Sequence, residues 1–233
     1  VLLTPVKLSE DGLGSSPAIG TVFTWNGGSA TYQGTPIEVP LSALSSLTFQ
    51  APLNDAGTFQ VQFQAKTYDY DDDTETGVAD TAISDAGSLT IHVAPDADLA
   101  ALSVQPAQGL EDTAIALTIR PSSTDGSETF NVSIAQIPAG ASLHYGGLEI
   151  TSSTTGVPGI TVTSQGGSWS VVITDYQTSA SLSVTPPVNS NVDFALEVKT
   201  QAVDALQGFD TSTGAWSQTQ NLPVKVVGVA CLL

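Results

Sequence analysis

Short runs in which every second residue is apolar recur along the chain, and Gly, Pro, Asn, Asp or Ser bounds each of them. In residues 58–67, Phe59, Val61, Phe63 and Ala65 face one way, with polar residues between them. Segments 88–93, 114–119, 130–134, 169–173, 182–185, 194–200 and 223–227 follow the same pattern. Side chains of a strand alternate between two faces, so this period of two predicts half-buried strands. Helical 3.6-residue periodicity is not sustained anywhere. Many short strands separated by turn residues predict an all-β chain of the sandwich kind.

The pattern is also partly duplicated. Leu47, Thr48, Phe49, Pro52 and Asn54 are echoed 135 residues further on by Leu182, Ser183, Val184, Pro187 and Asn189. The same offset relates Phe59 to Phe194, Val61 to Leu196, Phe63 to Val198 and Asp69 to Asp204. With a two-residue deletion, the segment 88–93 matches 221–226. A repeat of this kind predicts two copies of one folding unit. The polar stretch Ala94-Pro95-Asp96-Ala97-Asp98 marks the boundary, giving modules 1–95 and 96–233. Ser9-Glu10-Asp11-Gly12 matches Leu110-Glu111-Asp112-Thr113, with the first copy shorter between this point and its later strands, which makes it either a divergent or an N-terminally trimmed copy.

Charge narrows the function. The chain of 233 residues carries 23 Asp and Glu against 5 Lys and Arg, a formal charge of −18. Phosphate binding needs clustered cations, so nucleic acid is excluded as a partner and an anionic membrane surface is disfavoured. The 41% of hydrophobic residues supply enough apolar surface for folding. The acidic excess serves solubility, or else supplies carboxylates for divalent cations. A single cysteine, Cys231, rules out disulfides within the chain. No apolar run reaches the length of a membrane span, and no basic-then-apolar leader opens the sequence. The Thr, Ser, Gly, Val and Asp content suits an exported bacterial protein of which this is an internal stretch.

Catalytic signatures are missing. His92 and His144 stand far apart without metal-ligand spacing, and no nucleophile elbow, zinc helix, phosphate loop or dinucleotide fingerprint occurs. A carboxylate pair for glycoside hydrolysis would need two acids flanking a sugar-sized cleft, which end loops seldom provide. The expectation is a protein that is not an enzyme. Trp169 alternates with Val171 and Ile173 and is assigned to the core, whereas Trp25 and Trp216 are open to sugar stacking. Asn131-Val132-Ser133 fits a glycosylation sequon but lies in an expected strand.

Three segments form an ordered set: GLEDTAIAL at 109–117, TDGSET at 124–129 and IPAGASL at 137–143. With LSVTPPVNSNVD at 182–193, they resemble the tandem Ig-like, cadherin-like repeats of giant bacterial adhesins, including those with C-terminal RTX export signals. The resemblance spans most of 95–229 and, through 41–55, part of the first module. It implies two tandem immunoglobulin-like (cadherin-like) Greek-key β-sandwiches, secretion to the bacterial cell surface, and Ca2+ at module junctions.

Calcium takes six to eight oxygen ligands, so a site needs several loops. Seven-stranded topology assigns Glu10, Asp11, Asn54 and Asp55 of the first module, linker Asp96 and Asp98, and Asp125, Glu128 and Asp204 of the second to one junction. Glu111, Asp112 and Asp193 form a second set at the far end. A third comprises Asp69, Asp71, Asp72, Asp73, Glu75, Asp80 and Asp85.

The leading expectation is a calcium-stiffened extender of an adhesin in cell adhesion and biofilm formation. Its partners are neighbouring modules, and it is monomeric. A calcium-dependent sugar- or peptide-binding module of the same kind of adhesin is the alternative, and a self-associating surface layer is a third reading.

Overall fold

The computed structural model describes residues 1–11, 13–69 and 80–229. Asp71, Asp72, Asp73, Glu75 and Cys231 lie outside the described residues. The chain divides into two units: Val1–Pro95 with Ala205–Asp210, and Asp96–Asp204 with Thr211–Leu233. Both are built from strands, and among the described residues the one helical element is a 3-10 helix, Leu41–Ser46. Among the described residues no helix is long and apolar enough to cross a membrane.

The first unit contains β1 (Leu2–Leu8), β2 (Ser15–Pro17), β3 (Val22–Trp25), β4 (Gly28–Thr31), β5 (Ile37–Glu38), β6 (Thr48–Gln50), β7 (Gly57–Gln64), β8 (Lys66–Asp69), β9 (Asp80–Ile83) and β10 (Gly87–Val93). One sheet runs β10-β7-β1-β2, with β5 also on β1, and a second runs β4-β3-β6. Hairpin β8-β9 stands apart. Leu3, Phe23, Ile37, Val39 and Val61 meet between the two sheets. Phe49 packs at 5.9 Å from Phe23 and 5.6 Å from Phe59, ring centre to ring centre.

The second unit contains β11 (Ala101–Gln105), β12 (Ala107–Leu110), β13 (Ile115–Ala116), β14 (Thr118–Ser122), β15 (Thr129–Pro138), β16 (Ser142–Tyr145), β17 (Leu148–Ile150), β18 (Ile160–Gln165), β19 (Ser168–Ile173), β20 (Leu182–Thr185), β21 (Phe194–Asp204), β22 (Ser212–Thr213) and β23 (Gln220–Val227). A sheet of order β12-β23-β21-β15-β19-β18 carries β22 on β21, and a second runs β13-β20-β16-β17. Every described pairing is antiparallel except β12 with β23. Alternate residues of both sheets fill one core around Trp169, Ile134, Leu143, Leu196 and Leu222. Trp169 also donates its indole N–H to the Pro138 carbonyl at 3.2 Å.

The single strand expected at 114–119 is two strands. Ile115 of β13 pairs with Val184 of β20, whereas Thr118 of β14 pairs with Gln105 of β11. The partner changes at Leu117, whose N–H still reaches the Leu182 carbonyl at 2.9 Å. Ile115, Leu117 and Ile119 all remain in the core.

Strand register shows that the two units correspond residue by residue. Phe63 pairs with Leu3 and Gly87, and Val198 pairs with Ile134 and Gln220. Phe23 sits opposite Phe49 and Ala30, as Leu143 sits opposite Val184 and Ile150. Thus β1, β3, β4, β6, β7 and β10 correspond to β15, β16, β17, β20, β21 and β23. Both copies of the tight hairpin have two-residue loops, and the Gly146-Gly147 version holds both φ positive, which glycine adopts without steric cost. Strands β11 to β14 have no counterpart among the described residues of the first unit. The match between Glu10-Asp11 and Glu111-Asp112 is therefore corrected. Glu10 and Asp11 follow β1, the counterpart of β15, whereas Glu111 and Asp112 follow β12.

Candidate acidic site of the second unit

Three stretches of chain bring carboxylates together in the second unit. Asp96 and Asp98 precede β11, Asp125 and Glu128 lie in the turn between β14 and β15, and Asp204 ends β21. The turn is shaped locally. Asp125 Oδ1 accepts the Ser127 N–H at 2.9 Å and its hydroxyl at 2.8 Å, and Ser123 donates to the Asp125 carbonyl at 2.7 Å. Self-bonded turns of this kind are what short polar side chains provide.

The entering segment is held against that turn by side chains. Glu128 Oε1 accepts the Asp98 N–H at 2.5 Å, and Thr124 donates its hydroxyl to Asp98 Oδ2 at 2.5 Å. Ser212 Oγ accepts the Ala97 N–H at 2.9 Å. Gly214 allows the backbone to pass closely: a Cβ there would stand 2.6 Å from the Asp98 carbonyl oxygen.

Charge in this site is unbalanced. Glu128 is 8% exposed and Asp204 7% exposed. Burial pushes the Asp204 carboxyl above its ordinary value, and the Asp125, Glu128 and Asp96 charges push the same way against a backbone N–H from Asp96. The ion pairs among the described residues lie elsewhere, between Lys7 and Asp55, Lys66 and Glu38, and His144 and Glu149. Glu128 Oε2 is buried without a hydrogen-bond partner. A buried, unpartnered carboxylate oxygen is costly unless a cation or donor satisfies it.

The donor set consists of carboxylate, hydroxyl and carbonyl oxygens, which suits a hard cation such as calcium better than a thiophilic metal. Among the described residues no group of three or more His, Cys, Asp or Glu side chains stands ready to hold a metal ion. A cation would have to draw the surrounding carboxylates inward around Glu128 Oε2.

Most of the remaining candidates hold hydrogen bonds or an ion pair of their own. Asp112 Oδ1 accepts the Asn189 N–H at 2.7 Å, Asp193 Oδ1 the Val226 N–H at 2.7 Å, and Glu111 Oε1 the Val229 N–H at 2.7 Å. Each fastens one backbone segment to another. Asp55 is paired with Lys7. Asp11 accepts from Ser9 and from the Leu13 N–H, and the Ser9 bond leads in holding its carboxyl below the usual range. Glu10 is exposed, and Asp69 is the register partner of Asp80 in the β8-β9 pairing. Exposed His92 bonds with Thr58 at 3.1 Å. Thr124, Ser212 and Gly214 were not legible as site residues, because no spacing motif distinguishes them from ordinary turn chemistry.

No family model matches the chain, and no match was found among curated proteins or solved structures.

Proposed function

We propose that the chain is a non-catalytic extender from a bacterial surface adhesin, built of tandem immunoglobulin-like modules and tied by calcium at the acidic site of the second unit. The immunoglobulin-like reading is supported by strand order. With β11, β13-β14, β15, β16, β20, β21 and β23 taken as A to G, the pairings give an A-B-E-D group and a C-F-G group. The extender reading is supported by the residue-level correspondence of the two units, since repetition of one module lengthens a protein without adding chemistry.

One observation carries the calcium reading. Glu128 presents a buried, unpartnered oxygen beside Asp98, Asp125 and Asp204, where among the described residues no Lys, Arg or His pairs with it. A divalent ion placed there neutralises the repulsion and fixes the segment through Asp96 and Asp98 to the β14-β15 turn. The module then projects a fixed direction of chain, the property an extender needs. Thermal melts and small-angle scattering in chelator and in millimolar calcium test the reading. A higher melting temperature with a stiffer particle is expected, and an identical melt and scattering profile in both buffers would overturn it.

A further inference from the structure

The hairpin β3-β4 and its counterpart β16-β17 turn on different residues. Where the second unit has Gly146-Gly147, the first has Asn26-Gly27. Of the asparagines in the chain, Asn26 is the one followed by glycine. Both loop residues are exposed, and a Cβ built on Gly27 would meet nothing within 4 Å. The Asn26 backbone N–H is donated to Ser46 Oγ at 2.8 Å, whereas its side-chain amide has no hydrogen bond among the described residues. The Gly27 N–H is also left without an acceptor there. The other asparagines precede Asp, Val, Ser or Leu, whose side chains shield the following nitrogen. Asn131 is held further, because its amide bonds with Gln201 at 3.3 Å and with the Asp175 N–H at 3.4 Å.

We propose that Asn26 is a site of spontaneous deamidation and that its isoaspartate product opens the β3-β4 turn. The Gly27 nitrogen, its proton taken by solvent base, attacks Asn26 Cγ. A bond from Gly27 N to Cγ forms, the Cγ–Nδ2 bond breaks, and Nδ2 leaves as ammonia with a proton from water. Water then opens the resulting cyclic imide. Addition at Cγ gives aspartate, and addition at the Asn26 backbone carbonyl gives isoaspartate, whose main chain runs through Cγ. Overall, one amide and one water become one carboxylate and one ammonium ion. Isoaspartate adds an atom to the main chain between Trp25 and Gly28, which are register partners. The length of a two-residue loop fixes the register of its strands, so the added atom breaks this pairing. Trp25 then loses its seat on Gly28, where a Cβ would stand 3.0 Å from its ring. The Gly146-Gly147 loop carries no side-chain amide, so the change belongs to the first unit and is independent of the calcium reading.

The full chain, held warm at mildly alkaline pH, is followed by peptide mapping with mass spectrometry. Asn26→Gly, which reproduces the loop of the second unit, is treated alongside. The peptide containing Asn26 should gain about one mass unit and separate into two products, about tenfold or more faster than peptides containing the other asparagines. The Asn26→Gly chain should show no gain in that peptide. Hydrogen exchange at Val22–Trp25 and Gly28–Thr31 should quicken about tenfold in the isoaspartate form. Asn26→Asp supplies the charge without the extra atom and should keep the exchange of the parent. Three results overturn the proposal. Asn26 stays intact while other asparagines change, or it reacts only after unfolding in urea, which means that the folded hairpin protects it. Alternatively, the isoaspartate form exchanges β3 and β4 at the parent rate, which means that the turn stays closed.

Discussion

Glu128 takes the backbone N–H of Asp98 on one carboxylate oxygen and leaves the other buried and unbonded. A single side chain thus fastens the entering segment and carries an unmet demand for positive charge. The hydrogen bond gives the carboxylate a structural use in so acidic a place, and on the proposed calcium reading the second oxygen is what a cation would satisfy.

Replacing Asp204 with Asn should separate these two roles. In chelator, Asp204→Asn removes a charge that burial and Asp125 both oppose, so the second unit should unfold at higher denaturant than the parent. In calcium the order should reverse. The parent gains about 2.7 kcal/mol when calcium is at 100 times its Kd, and the variant, having lost a ligand, gains less. Paired denaturant titrations followed by Trp169 fluorescence check both arms.

Gly214→Ala should disturb the same site without touching a charge. The added methyl meets the Asp98 carbonyl, and a backbone shift of that kind costs about 1–3 kcal/mol. The calcium-induced rise in melting temperature should shrink in parallel. A variant that is destabilised but retains the full calcium response would separate the backbone packing from ion binding.

Asp55→Asn provides the opposite control. Its carboxylate is paired with Lys7, and both side chains are about one-third exposed, so the loss should be at most about 1 kcal/mol. Calcium titrations of this variant should superimpose on the parent.

Tyr176 sets an alkaline limit on the second unit. Its hydroxyl donates to the Ile119 carbonyl at 3.4 Å, its ring stacks on Tyr145 at 5.3 Å, and burial pushes its pKa up to about 12, with the Tyr145 charge adding to the shift. Because the folded state favours the neutral phenol, this contribution to stability is complete below pH ~10, the unfolded tyrosine value. It is lost as the pH rises through about 12. Tyr176→Phe should flatten that part of a stability-versus-pH curve measured by urea unfolding.

The corresponding residues of the two units should respond differently to truncation. Leu222→Ala removes a fully buried side chain and should cost about 2–5 kcal/mol. Leu89→Ala, at the matching position, should change stability by no more than about 0.5 kcal/mol, because water already reaches it. Unfolding monitored separately for each unit distinguishes the two outcomes.

These contrasts mark what the residue pattern could and could not convey. Period-two alternation states which face a side chain takes, and along β21 the alternate residues Leu196, Val198, Thr200, Ala202 and Asp204 are all buried. It does not state whether that face is covered. Phe63 has the right phase but is exposed, because the covering depends on strands distant in sequence. Glu10-Asp11 matched Glu111-Asp112 as a short string, but strand pairing places the two in different parts of the module. Glu128 and Asp204 could be singled out as acidic loop residues. The buried, unpartnered oxygen of Glu128 required the packing of Asp98 over it, which no local spacing encodes.

The parallel pairing of β12 with β23 has a mechanical consequence. Tension applied to the two ends of the second unit would slide these strands lengthwise past each other. The bonds joining Ala107 through Leu110 to Val224 through Val227 then bear the force together, instead of opening one after another. In the first unit the final strand, β10, lies against antiparallel β7, and no parallel pair is found among its described residues. Pulled from both ends, the chain should yield first in the first unit, and the second unit should hold until its parallel ladder shears.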